Sequence, residues 1–199
     1  MKKGLIAVIA IVGIIAILGI WYVNTSNGLV EMEGQATKQW ANVESSYQRR
    51  SDLIGNLVKT VQGAADFEKG TLTDVIEARA KATSTSINAN DLTPEKMEAF
   101  QQAQSGLTGA LSKLMVVVER YPDLKANQNF LELQSQIEGT ENRINVERNR
   151  FNDLAGDYNI KIKKMPTNII AALGGFDAMS LFSSNAGAEN APDVNFDFN

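Results

Sequence analysis

The chain of 199 residues contains no cysteine, no histidine and only 4 prolines. Without Cys and His, the usual zinc sites, iron–sulfur clusters and haem ligation through imidazole or thiolate have no ligands. Disulfides are excluded. So are the Ser-His-Asp and Cys-His arrangements, which need an imidazole to take the nucleophile's proton. An enzyme built on this chain would have to use carboxylates, Lys, Tyr or a Ser-Lys pair. Positive charge is also short: 19 Lys and Arg stand against 23 Asp and Glu, a formal charge of −4. That sign opposes the phosphate-neutralising surface on which nucleic-acid affinity depends, so no nucleic-acid partner is expected, and no cofactor either.

Charge is absent altogether from Gly4 to Val23, GLIAVIAIVGIIAILGIWYV, a stretch of the length a helix needs to cross about 30 Å of hydrocarbon. A cleaved signal peptide has a shorter apolar region, about 7 to 15 residues, and ends at a small-x-small site. Here the run leads into Trp21 and Tyr22, which read as interfacial aromatic anchors, with Lys2 and Lys3 anchoring the other end. Residues 1–25 are expected to be an uncleaved, single-pass membrane anchor with the lipid bilayer as partner. Lys2 and Lys3 precede the span, while Glu31 and Glu33 follow it before Lys38. The positive-inside bias then places the remainder of the chain outside the cytoplasm. The polar run Asn24 to Gly28, NTSNG, offers a place for a break between span and domain.

Proline occurs only at 94, 122, 166 and 192, and the stretches between are rich in good helix formers. Trp40, Val43, Tyr47, Arg50, Ile54, Leu57, Val61 and Ala64 recur at steps of three and four, the stripe of a helix facing a bundle seam. This predicts one helix over about 29–68 and a shorter one around 73–86. Thr93-Pro94-Glu95 has the form of a helix start, and the spacing from Phe100 to Tyr121 continues that helix to Pro122. A last long helix runs through Phe130, Ile137, Ile144, Phe151 and Tyr158 to Met165. TNIIAALGGF then reads as a short helix with Asn168 as cap, a stop at Gly174-Gly175, and packing against one end of the bundle. No strand pattern competes, so residues 26–182 are expected to form an all-α, up-and-down bundle of three or four long antiparallel helices. Residues 183–199 read as a disordered acidic tail; the alternative is a short strand through Val194, Phe196 and Phe198 adding to a partner's sheet edge.

Two charges interrupt the seams, Arg50 on the first long helix and Glu147 on the last. Antiparallel neighbours of similar length would bring them level, which predicts a buried structural pair that fixes register more than it stabilises. The acids from Glu119 to Asp157 are numerous, yet Glu138 and Glu141 lack the Glu-x-x-His pattern of a di-metal bundle. Ser51, Ser105 and Ser112 have no activating motif around them. Gly174-Gly175 is no phosphate loop. No catalytic, cofactor or metal residue is assigned.

Three stretches, WANVESSYQRRSDLIGNLVKTVQGAADFE, ERYPDLKANQNF through TEN at Thr140–Asn142, and MPTNIIAALGGF, resemble the LemA family of bacterial membrane proteins, from about the anchor to Phe182. The sequence departs from the family pattern at Gly55, where D-L-I-P-N-L-V would carry proline, and in GAADFE, where relatives often carry an aromatic and a His. The resemblance implies one span in a bacterial cell membrane, a long-helix bundle, and no catalytic residues to carry over. Its shared Tyr121, Pro122 and Asp123 fall at a helix junction, stopping one helix and capping the next, and Asn127 to Phe130 starts the last helix.

These readings together predict a non-enzymatic scaffold or self-assembling membrane protein that acts through helix-face contacts, with a homo-oligomer as the expected assembly and another envelope protein as a further partner. Leu53, Val58, Met115, Val116 and Val118 are the apolar positions surplus to the seams. The alternative is an adaptor or signalling accessory subunit of another envelope protein, such as a membrane protease. An enzyme using carboxylates ranks third.

Overall fold

A single helix, α1, runs from Lys2 to Gln62 in the computed structural model of the chain, which describes residues 2–63, 68–89 and 91–183, with side chains from residue 4 onward. It carries the apolar run and the first bundle seam on one axis, and NTSNG does not break it. Those five residues have weak helix propensity, each costing under about 1 kcal/mol relative to Ala. They lie between two strongly helical segments, and helix propagation is cooperative enough to pass through them. Gly55 sits within α1 without ending it. The Arg79 side chain lies so close over Gly55 that a Cβ there would stand 3.2 Å from its guanidinium.

Four further helices and one short helical turn follow: α2 (Lys69–Ser84), α3 (Pro94–Val118), α4 (Pro122–Lys125), α5 (Gln128–Lys163) and α6 (Thr167–Gly174). The described residues contain no strand. The fold is an all-α bundle in which α5 runs antiparallel to α1, and α2 packs against both α1 and α3. Caps set the boundaries. The Thr93 side chain accepts the Lys96 amide at the start of α3, with Pro94 in the first turn. Asn127 accepts from the amides of Asn129 and Phe130 to open α5, and Gly175, at φ 71°, ends α6 in the left-handed region. Asn168 is not the cap of α6. That helix begins one residue earlier, behind Pro166, with no side-chain cap.

The seams are buried as the spacing predicts. A distal core joins Ile54, Leu57, Val61, Val75, Leu114 and Phe130. In the middle, Trp40, Val43, Phe100, Ile144 and Phe151 pack together with Phe182. A third cluster, Leu29, Tyr158, Ile162 and Ala171, closes the end nearest the apolar run. From Gly4 to Asn24 every described side chain is exposed, so none of the described residues covers α1 there. The run is long and apolar enough to cross a membrane. The expected boundary near residue 25 therefore falls inside α1. The tail expected over 183–199 lies, beyond Ser183, outside the described residues, as do Ala64 and most of GAADFE.

Candidate functional site

Arg50 and Glu147 are both buried, at 3% and 6% exposure, but they do not pair. The Arg50 guanidinium bonds Glu141 at 2.6 Å and the Gln104 side-chain oxygen on α3, and it lies 5.0 Å over the Tyr47 ring. Glu147 instead accepts from Gln39 at 2.7 Å, and the same amide donates to the Glu147 backbone carbonyl at 3.1 Å. Periodicity identified the face correctly and missed the stagger. With Gln39 level with Glu147, a position eleven residues on in antiparallel α1 is level with about residue 136 of α5, and the long Arg50 side chain reaches Glu141, the nearer of the two acids. Six residues of α5 separate the two acids, about 9 Å of rise. Solvated Arg143 and Arg150, 3.8 and 3.7 Å from Glu147, add positive charge beside it.

Around Arg50, α3 and α5 stand apart and leave a two-part cleft. The apolar part, about 190 Å³, is lined by Ile54, Leu107, Leu111, Met115 and Ile137, with Arg50 and Glu141 at its end. The polar part, about 210 Å³, continues past Tyr47, Gln101, Ser105 and Arg148. Burial pushes the Tyr47 hydroxyl above its ordinary range, against the opposing pull of Arg148 and Arg50. The arrangement offers a floor whose Arg50 charge is taken up by Glu141, and an apolar wall. It offers no nucleophile with a base beside it, and among the described residues no three Asp or Glu come together to hold a metal.

A second construction lies along α5. After α6 the chain runs back as an extended strap, residues 176–183, clamped by two asparagines. Asn159 donates to the Met179 carbonyl at 2.8 Å and accepts its amide at 2.9 Å. Asn152 does the same for Phe182, both at 2.9 Å. Seven residues of helix rise about 10 Å, as do three residues of extended chain, so the two ladders match. The clamp seats Phe182 against Trp40, ring centroids 5.5 Å apart and nearly parallel, with Arg148 over its other face at 4.5 Å. Sequence reasoning missed it. Its signal is the pair of Asn seven apart beside the apolar Phe151 and Tyr158 on α5.

Tyr121 precedes the turn α4, Pro122 and Asp123 open it, and the next long helix is capped by Asn127 rather than by Asp123. Lys125 pairs with Glu119 across this junction. Trp21 and Tyr22 are exposed on α1 where the apolar run ends. Lys2 and Lys3 lie in its first turn, ahead of the described side chains. Of the five surplus apolar positions, Leu53, Val58 and Val118 are buried in the distal core and Met115 packs against it; Val116, at 72% exposure, is free.

A sequence model of the LemA family matches residues 39–196. Magnetosome protein MamQ 2 of Paramagnetospirillum magneticum is 29% identical over 196 residues, covering 89% of this chain and 70% of that protein. MamQ of Magnetospirillum gryphiswaldense is 28% identical over 198 residues, with the same coverage. Protein LemA of Metamycoplasma hominis is 26% identical over 150 residues, 75% of this chain and 65% of that protein. The family description and these names state no enzymatic activity. With a membrane-length apolar run on the first helix of an all-α bundle, and with the family pattern matched over most of its length, the chain belongs to the LemA family.

Proposed function

We propose that this protein is a non-enzymatic, membrane-anchored scaffold that works by contact between helix faces, with further copies of itself as the first partner. The observation that carries the reading is the unbroken α1, 61 residues long, which joins the apolar run to the bundle without a joint. A helix of that length holds the bundle at a fixed height and tilt on a bilayer, and copies held alike present the same faces to one another. Consistent with this, the buried charges Arg50 and Glu147 are taken up by partners within the bundle, as structural polar contacts are. The Lys2–Lys3 against Glu31–Glu33 asymmetry favours a single pass with the bundle outside the cytoplasm.

The test is the mass and image of the full-length protein in detergent or nanodiscs, beside the chain lacking residues 1–24. The reading expects a defined multi-copy particle that depends on the anchor. Monomers in both forms would contradict it.

One observation favours the adaptor alternative. The last described residue, Ser183, lies against the bundle: its hydroxyl meets Gln101 and its carbonyl accepts from Arg148, two residues at the polar mouth of the α3–α5 cleft. Deleting residues 185–199 separates the readings: loss of capture of an envelope partner with assembly retained selects the adaptor.

A further inference from the structure

The end of the bundle nearest the apolar run carries an uncovered apolar surface of a particular kind. In α6, Thr167, Ile170 and Ala171 pack against the bundle, while Ile169 and Leu173 on the opposite side are 53% and 74% exposed. Met165, just before the helix, is 75% exposed. From Ile169 to Leu173 the helix is apolar on every side, which belongs in a protein interior or in lipid, and among the described residues only one side of α6 has protein against it.

Its position selects lipid. Ala171 shares a cluster with Leu29, Tyr158 and Ile162, so α6 sits level with Leu29. That is only about 9 Å of helix beyond the last residue of the apolar run, Val23. Because α1 has no joint, this end of the bundle faces whatever plane the span crosses. The charges are sorted along the same axis. Lys161 and Lys163 occupy the last turn of α5, and Lys164 follows them. The neighbouring acids lie farther from the span: Glu31 and Glu33 are later on α1, Asp157 is earlier on α5, and Asp177 acts with Glu33 on Tyr158.

We infer that the base of the bundle, α6 with the end of α5, is a second membrane contact, seating Met165, Ile169 and Leu173 at the acyl boundary and Lys161, Lys163 and Lys164 on anionic lipid headgroups. Basic and apolar side chains combined in this way are what interfacial helices use. The inference rests on the membrane reading of α1. It adds that the domain lies on the bilayer rather than standing off it, so that lipid charge acts on the bundle directly.

The absence of cysteine makes single-site labelling direct. Full-length Ile15→Cys, Leu173→Cys and Val116→Cys variants, each carrying an environment-sensitive fluorophore, are reconstituted in vesicles of equal parts phosphatidylcholine and phosphatidylglycerol. Quenching by lipids spin-labelled near the headgroup and at mid-chain is then read. Ile15→Cys and Leu173→Cys should be quenched and Val116→Cys, at the far end of the bundle, should not. Replacing Lys161, Lys163 and Lys164 by Gln should cut quenching at position 173 by about two-fold or more. Quenching at 15 with none at 173 overturns the inference and leaves the membrane reading standing; no quenching at 15 takes both down. Quenching at 173 that ignores the lysine changes overturns the headgroup assignment.

Discussion

Arg50, almost wholly buried on α1, meets the Glu141 carboxylate of α5 at 2.6 Å, and the Glu141 side chain is still 43% exposed. The pair spans the floor of the α3–α5 cleft, with Gln104 of α3 bonded to the same guanidinium. One residue therefore holds three helices in register. Arg50→Met leaves the buried Gln104 side-chain oxygen without its donor, while the amide keeps the Ala82 carbonyl and Glu141 turns to water, so the expected cost is about 1–3 kcal/mol in denaturant unfolding. A double-mutant cycle should give a coupling of about 1 kcal/mol or more between Arg50 and Glu141. Between Arg50 and Glu147 it should stay below about 0.5 kcal/mol, and a larger value there would contradict the register described.

The asparagine clamp predicts a local effect. Asn159→Ala leaves both backbone groups of Met179 without their side-chain partners. Amide exchange over residues 176–183 should accelerate about tenfold or more, the equivalent of losing roughly 1.4 kcal/mol. Exchange over the distal core of α1 should be unchanged. Equal acceleration in both would mean that the strap is part of the global fold rather than a separately closing element.

Tyr158 is completely buried, and its hydroxyl has no hydrogen-bond partner among the described residues. Burial, with Glu33 and Asp177 adding to it, pushes its pKa up to about 12. A group whose folded pKa lies above its unfolded value contributes stability that is complete below the unfolded pKa, about 10 for Tyr. That contribution is lost as pH rises through the folded pKa. Stability should therefore fall between about pH 10 and 12 by more in the native chain than in Tyr158→Phe. At neutral pH Tyr158→Phe should match the native chain or exceed it by up to about 1 kcal/mol, because an unsatisfied hydroxyl is removed. A clear loss on that substitution would show that the hydroxyl has a partner, such as a buried water.

Helix faces were legible in the sequence because a period of 3.6 residues leaves a direct record: Trp40, Val43, Tyr47, Ile54, Leu57 and Val61 are the buried stripe of α1. Stagger leaves no such record. It is set by the lengths of the connections and by side-chain fit, which is why Glu147 rather than Glu141 looked like the partner of Arg50. The continuity of α1 was not readable from NTSNG, since five weak helix formers bias the chain by less than the flanking segments do. Surplus apolar residues misled in the opposite direction. Leu53, Val58 and Val118 lie off the narrow seam, yet α2 and the turn α4 widen the core enough to cover them. The Asn152–Asn159 clamp was hidden for a plainer reason: asparagine on a helix is ordinarily solvated, and only the extended strap beside it turns two amides into a ladder.

The central claim is that one rigid helix fixes the bundle to the membrane, and a distance tests it most directly. Spin labels at Ile15→Cys in the apolar run and Ser45→Cys on the exposed side of α1 in the bundle, on the full chain in nanodiscs, are separated by about thirty helical residues, roughly 45 Å of rise. Pulsed electron resonance should return a single narrow distribution near that distance. A broad distribution centred well below it would place a joint between Asn24 and Gly28 and would contradict the account.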